Sequence, residues 1–491
     1  MAARDGRPRE RRHMKPALAF LRNSWRQLTS MRTALVLLFL LAIGAIPGSI
    51  LPQRRLGETP VQQYFIENPK LAPVLDQLGF FDVYAAPWFA AIYLLLFTSL
   101  VGCVLPRLRD HVRALIKTPP EAPKRLERLP QHTVYGTHPT LDFKGWRKVR
   151  REHPDGSVTI SAEKGYLKET GNLLFHSSLL VILAGVAIGA QWGWNGQRIL
   201  IEGADKPFCN VLYQYDRPVL GPYVSASDLP PFCLELEDFQ ASYLENGQAT
   251  SFEATVNGGQ KFRVNHPLRL DGANVYLLGH GYAIEARYTD AAGRVQQVTA
   301  AFPDNNDMMA SIGVLLFPDA NGGDPKNQIG FEGIYLPTAE GASSLHPEER
   351  NPRLTLIPWK GDIGLDAGIP QNVYVLDTKR MTPFGERKTL KKGETQTLPD
   401  GSKLEFLGTR SFIAISVRHD PGEPIVLTGA VLLLVGLPLS LYGKRRRVWL
   451  RLHPDGTAEA GGLPKTDYPG FADEFEKVTR WQSTESFSPS R

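Results

Sequence analysis

His176 is the single imidazole inside GNLLFHSSLLVILAGVAIGA, an apolar stretch from Gly171 to Ala190. A titratable ring there has three physical uses. It can stay neutral and hydrogen-bond a Ser or a backbone carbonyl within a helix bundle. It can relay protons, or its neutral nitrogen can ligate a metal or haem iron. A relay needs other titratable groups at similar depth, and the central parts of the apolar runs carry no Asp or Glu. The structural and ligating uses both remain open. One axial ligand leaves the other side of an iron free, and the other three apolar runs contain no His. Cys103, in the second run, could ligate as a thiolate, although a lone Cys in a span is more often a small apolar filler. If haem iron is held at His176 by two axial ligands, the second is expected from another polypeptide.

The remaining candidates are weaker. His266 in VNHPL, His280 in LLGHGYA and His419 in VRHDPG stand near predicted turns without metal-ligand spacing, so strand-end hydrogen bonds are the expectation. There is no CxxC to support thioredoxin-like redox chemistry, and the glycine groups follow no phosphate-loop pattern.

The elements that must position His176 are membrane helices. Runs 33–52, 86–106, 171–190 and 424–442 each approach the ~20 residues that cross a bilayer as a helix. A charged leader of some thirty residues precedes the first run, which is longer than the roughly 7–15 residues of a signal h-region. It is therefore expected to remain as a membrane helix. The net charge of +6 is unevenly spread. Arg4, Arg7, Arg9, Arg11, Arg12, Lys15, Arg22, Arg26 and Arg32 fill the leader, RLRDHVRALIK and GWRKVRREH lie in segment 107–170, and GKRRRVWLR follows the last run. Loop 53–85 has only Arg54, Arg55 and Lys70. The positive-inside rule then predicts a cytoplasmic N-terminus (1–32), a cytoplasmic loop 107–170 and a cytoplasmic tail 443–491, with loop 53–85 and insert 191–423 external. Charge serves topology in this reading, and nucleic-acid binding is not expected.

The predicted fold class is a membrane protein of α + β type, four transmembrane helices with a large external β-rich domain between helices 3 and 4. Alternating segments such as SFEATV, KFRVNHPLRL and SKLEFLGTRSFIAISVRHD, punctuated by NGG, DGAN and DPG, predict an antiparallel sandwich or open barrel. Cys209 and Cys233 both fall in this insert, where the external compartment permits oxidation, and are the candidate disulfide. Segment 107–170 is expected to hold an interfacial helix at RDHVRALIK and a small hairpin turning at Pro-Asp-Gly. Trp192 and Trp194 read as interfacial belt residues, and the Arg-rich tail as a stop-transfer anchor. On the third helix, Leu180, Leu183 and Ala187 share the face of His176, while Ser178, Gly185 and Gly189 lie opposite and suit close helix packing.

Four blocks carry a resemblance. They are SMRTALVLLFLLAI…GSILPQ, SAEKGYLKETGNLLFHSSLLVILAG, VNHPLRLDGANVYLLGHGYA and SVRHDPGEPIVLTGAVLLLVGL…RRRVW. Together they resemble the ResB (CcsB) family of System II cytochrome c biogenesis. The resemblance implies a ResC/CcsA-type membrane partner, haem b as a transported substrate rather than a permanent cofactor, and apocytochrome c as the acceptor. It implies that His176 is an axial ligand of the haem iron on the cytoplasmic side, with the second imidazole from the partner. It also implies that the external insert forms a chamber or cap near the attachment site. WGWNG at 192–196 lacks the Trp-rich motif of the partner family, and the chain has no CxxCH. The chain is thus expected to be a component of a haem lyase (synthetase) complex that is not catalytic alone. A non-enzymatic scaffold holding apocytochrome or the partner, with His176 structural, is the alternative. A small-solute transporter fares worse, since four spans show no inverted repeat.

Overall fold

The computed structural model describes residues 16–54, 58–137, 143–270, 272–365, 374–465 and 468–479. Arg4, Arg7, Arg9, Arg11, Arg12 and Lys15 of the leader, and Arg55, lie outside the described residues. The chain divides into two compact units, Met1–Ala187 with Glu423–Arg491, and Ile188–Gly422.

The helices of the first unit are α1 (Pro16–Leu28), α2 (Met31–Ile50), α3 (Glu58–Glu67), α4 (Ala72–Gln77), α5 (Pro87–Ile116), α6 (Leu167–Trp192, whose last turns extend into the second unit), α7 (Glu423–Tyr442) and α8 (Phe471–Thr479). Among the described residues α2, α5, α6 and α7 are long and apolar enough to cross a membrane, and only 6–11% of each apolar window is buried in the protein. Side chains such as Leu38, Phe39, Leu94, Leu434 and Leu441 are left on the surface, which is affordable only where the solvent is lipid. RDHVRALIK is not a separate interfacial helix. It continues α5 beyond Pro106, whose missing N–H costs only the one bond to the turn before it.

Small residues let these helices approach closely. A Cβ on Gly436 would lie 2.7 Å from the Phe175 nitrogen, and one on Gly429 would lie 2.7 Å from Ile182 Cγ1. A Cβ on Gly171 would lie 2.5 Å from the Ser440 nitrogen. α7 therefore packs along the row Gly171, Phe175, Ser178 and Ile182 of α6, positions that recur every three or four residues. The end of α1 is joined to α5 by the Ser99 hydroxyl, which donates to the Leu28 carbonyl at 2.6 Å.

The Arg-rich tail is more than a stop-transfer anchor. Arg446–Leu452 is the central strand of a five-stranded antiparallel sheet ordered Gln131–Tyr135, Ala458–Pro464, Arg446–Leu452, Val158–Lys164, Arg147–Glu152. Val448, Trp449 and Leu450 are buried there, and α8 covers the sheet with Phe471 and Phe475. The expected hairpin supplies two strands of this sheet, and a near-copy supplies two more. HPDGS at 153–157 and HPDGT at 453–457 make the same turn. In each, an Asp carboxylate (Asp155, Asp455) accepts the backbone N–H and the hydroxyl of the residue two further on. In each, glycine takes a positive φ, +79° at Gly156 and +88° at Gly456. The turns adjoin, since a Cβ on Gly156 would meet Pro454 Cγ at 3.2 Å.

In the second unit two 17-residue strands, Ala273–Thr289 and Lys403–His419, pair along their length as a spine. One half of the spine packs Val275, Leu277, Ile413, Ile415 and Val417 with the three-stranded sheet of residues 236–263. The other half packs Ile284, Ala286, Tyr288, Leu404 and Phe406 with Phe317, Phe331 and Leu356 of a second sheet. The buried set changes from odd to even numbers along both strands because each carries a register shift, between Leu277 and Gly279 and opposite Glu285/Ala286. The unit thus holds two large antiparallel cores on a shared spine, with smaller clusters beside them, and the named strand pairs are antiparallel throughout the described residues.

Candidate functional site

α6 places His176 on the side of the helix roughly 130° round from the row that packs on α7, at ~100° per residue. The ring is half-buried. Its Nδ1 lies 2.8 Å from the Asn172 carbonyl oxygen, one turn earlier. A carbonyl can only accept, so Nδ1 carries the proton and Nε2 keeps its lone pair in the neutral ring. No hydrogen bond engages that Nε2 among the described residues. This is the arrangement of a metal-ligating histidine, one nitrogen anchored to backbone and the other free for a ligand. Leu180, Leu183 and Ala187 continue the face with apolar side chains, which suits a porphyrin.

Two ties hold α5 against α6 on either side of this ring. Toward one end the Tyr93 hydroxyl donates to the Leu183 carbonyl at 2.6 Å. Toward the other, His111 Nε2 lies 3.0 Å from the Thr170 hydroxyl oxygen, and that hydroxyl donates to the Tyr166 carbonyl. His111 Nε2–H is therefore the donor to Thr170. Thr170 precedes His176 by six residues, roughly 9 Å along the axis, so with Nε2 committed there His111 does not serve as the opposing ligand at His176. Sequence reasoning missed His111. The available signal was its position seven residues after Val104, which marks one buried stripe of α5.

The same end of the unit carries a charge cluster that sequence also missed. Glu163 is buried and accepts from Tyr166 at 2.5 Å, from Arg445 at 2.6 and 2.8 Å, and from Arg447 at 2.9 Å. Burial alone would raise the Glu163 carboxyl, but the Tyr166 hydrogen bond and the two guanidiniums hold it below the ordinary carboxylate range. Arg445 also contacts Glu169 in the first turn of α6 and lies over the Tyr166 ring at 4.4 Å. This cluster fixes the starts of α6 and of the central tail strand relative to each other.

The other sequence candidates are placed as follows. The Cys103 thiol donates to the Thr29 carbonyl at 2.7 Å and so joins α5 to the α1–α2 connection. Cys209 and Cys233 face each other on paired strands and are joined by a disulfide. His266 is exposed, with Nδ1 3.3 Å from the Val264 carbonyl. His280 lies within a long strand, not at its end, and its Nε2 is 2.8 Å from the Tyr243 hydroxyl oxygen, between Phe239 and Phe252. Burial depresses its pKa to about 4. His419 ends its strand and stacks on Trp194 at 6.3 Å. Trp194 is only 4% exposed and belongs to a core of the second unit, so it is not a belt residue. The alternating pattern that buries it is set by the strand Trp194–Ile201, which begins directly after the helix. Trp192 is half-exposed and stacks on Tyr223. No group of three or more His, Cys, Asp or Glu side chains is gathered for a metal ion among the described residues.

The ResB-like family model matches residues 31–476. Similar proteins include the cytochrome c biogenesis protein CcsB of Prochlorococcus marinus, 22% identical over 489 residues, covering 94% of this chain and 99% of that protein. The CcsB proteins of Synechococcus sp. (strain WH7803) and Gloeobacter violaceus are 26% and 24% identical, each covering 92% of this chain and 96% and 89% of their own lengths. With four apolar helices and a match across nearly its whole length, this chain is a multi-pass membrane protein that belongs to the ResB-like family.

Proposed function

We propose that this chain is the haem-handling subunit of a cytochrome c synthetase. Haem b is its cargo, held at the iron by His176 Nε2 and delivered across the membrane for covalent attachment to apocytochrome c. The observation that carries this reading is the anchored ring, with Nδ1–H given to Asn172 and the Nε2 lone pair open on a face that α7 leaves uncovered. Relatives named for cytochrome c biogenesis support the pathway. A ResC/CcsA-type partner supplies the second axial imidazole, because His111 is turned to Thr170 and the apolar parts of the other spans contain no His. The basic end of the spans faces the cytoplasm, and the unit Ile188–Gly422 lies outside, where the acceptor is met. Attachment adds a thiol S–H across a vinyl C=C with no net electron transfer, so the assembly's contribution is to hold the two groups together.

The test is an absorption spectrum of the chain purified with its partner. His176→Ala should remove or strongly weaken the haem Soret band and lower cytochrome c maturation, and added imidazole should restore the band. Full haem content and full maturation in His176→Ala would transfer the assignment to an assembly scaffold.

A further inference from the structure

In the Ile188–Gly422 unit the strand Trp194–Ile201 pairs along one side with Lys403–His419. On its other side Arg217–Leu220 covers only Trp194–Gln197. Glu202 gives its N–H to the Ser411 carbonyl at 2.9 Å, so even-numbered residues of this strand turn their backbone groups toward the long strand. Odd-numbered residues turn theirs away from it. Beyond Gln197, the Ile199 N–H reaches the Asp216 carboxylate at 3.3 Å, and the Ile201 carbonyl accepts from Ala204 at 3.3 Å. The Ile199 carbonyl and the Ile201 N–H have no hydrogen bond among the described residues. We propose that this open edge takes an extended segment of apocytochrome c as an added strand. The proposal rests on the haem-delivery reading above and gives its acceptor a docking place.

The open groups have strand spacing. A carbonyl at one residue and an N–H two residues on are the pair that a neighbouring strand engages, whichever way it runs. Exposed edges are normally blunted by charge, proline or a bulge, whereas Ile199 and Ile201 are branched, apolar and half-buried. The edge also opens on two cavities, and Arg198, Ile199 and Ile201 line both. The first, of about 250 Å3, is walled by Leu200, Phe208, Leu234 and Leu236, which belong to one core. Phe208 and Leu234 pair beside the Cys209–Cys233 disulfide, which holds that wall in place. The second, of about 320 Å3, is lined by Thr299, Ala301, Val314, Leu316 and Tyr374. Ile199 and Ile201 pack there with Ala301 and Tyr374, on the face of the strand opposite Leu200. One cavity therefore lies on each face of the open edge.

Alternation then specifies the occupant. An added residue opposite Leu200 sends its side chain to the first cavity, and its two neighbours send theirs to the second. A strand buried on both faces reads as a continuous apolar run, so the segment carries three consecutive apolar residues. The shared Arg198 is paired with Asp216 at 3.0 Å, and Asp216 also accepts from Tyr374 at 3.2 Å, so this rim calls for no ion. Backbone groups at strand spacing are matched by another backbone, not by lipid or porphyrin. In a folded partner such groups are already paired, but the acceptor of the proposed function arrives before haem can organise its core.

The experiment titrates the full chain in detergent with a fluorescent peptide, Ser-Thr-Val-Leu-Val-Thr-Ser, and with its analogue N-methylated on the three central residues. The analogue keeps the side chains and loses the backbone donors, so it should bind about tenfold or more weaker by anisotropy. Haem-free apocytochrome c should compete with the parent peptide. Thr299→Trp, which fills the second cavity from its wall, should weaken peptide and apocytochrome c alike, while the Soret band and the unfolding midpoint of the Ile188–Gly422 unit stay those of wild type. Equal binding of peptide and analogue overturns the proposal, and so does apocytochrome c binding untouched by Thr299→Trp, even where His176→Ala abolishes the Soret band. If the chain instead forms a dimer that the peptide dissociates and apocytochrome c does not, the occupant is a second copy and the proposal fails. If His176→Ala keeps full haem and maturation while peptide, analogue and apocytochrome c behave as expected, the haem reading fails and the strand site stands.

Discussion

At the scale of single residues, imidazoles in this protein are distinguished by which nitrogen is occupied. His176 gives Nδ1–H to its own helix and keeps Nε2, whereas His111 gives Nε2–H to a neighbouring helix and is left with an orphaned Nδ1. His280 is different again. It is packed among aromatic rings and hydrogen-bonded with Tyr243, whose own pKa burial pushes up to about 12. Burial lowers His280 from its ordinary 6.5 to about 4, so the unfolded chain binds a proton that the folded unit refuses between those values. Stability of the Ile188–Gly422 unit should therefore fall as the pH drops from 6.5 toward 4, by on the order of 2–3 kcal/mol from this group. Thermal unfolding of the full chain followed across that window checks it. His280→Phe should flatten the slope, and an unchanged slope would assign it to other groups. His176 was legible in the sequence because an imidazole stands out against twenty apolar neighbours. His111 and Glu163 were not, since their partners lie 59 and about 280 residues away and only the folded chain brings them together.

At the scale of elements, the spans were readable from length and apolar composition, and the strands of the large insert from alternation. What could not be read was where alternation slips. Each long strand shifts register once, and a one-residue slip exchanges the faces of everything beyond it. A strand written as odd then even looks irregular in sequence although the residues of its two large cores keep to one face. The tail was misread for a related reason, because KRRRVWLR offers basic residues at the correct place for an anchor while Val448 and Leu450 already alternate as a strand. The repeated HPDG turn was visible, but its meaning needed both copies in one sheet. The disulfide acts at this scale too. It closes a loop with a sequence separation of 24 between two-residue strands that have little other pairing. Cys209→Ser/Cys233→Ser should cost the Ile188–Gly422 unit about 3 kcal/mol by the loop-entropy relation. Denaturant unfolding should show the midpoint of that unit lowered and leave haem binding at His176 intact. An unmoved midpoint would mean the bridge is dispensable for folding.

At the scale of the whole molecule, the two units divide the labour in the proposed function. The first gathers the spans, the basic sheet and the His176 site, and the second builds two β cores that contain neither a metal-binding cluster nor a redox pair of CxxC type among the described residues. In the proposed function the part of this chain is to present an iron ligand to a partner, in keeping with relatives named for cytochrome c biogenesis. The most direct measurement is electron paramagnetic resonance of the oxidised haem in the purified two-protein assembly. A low-spin signal of two axial imidazoles in the wild type should give way to a high-spin or absent signal in His176→Gly, and added imidazole should bring the low-spin signal back. An unchanged low-spin signal in His176→Gly without imidazole would contradict the account.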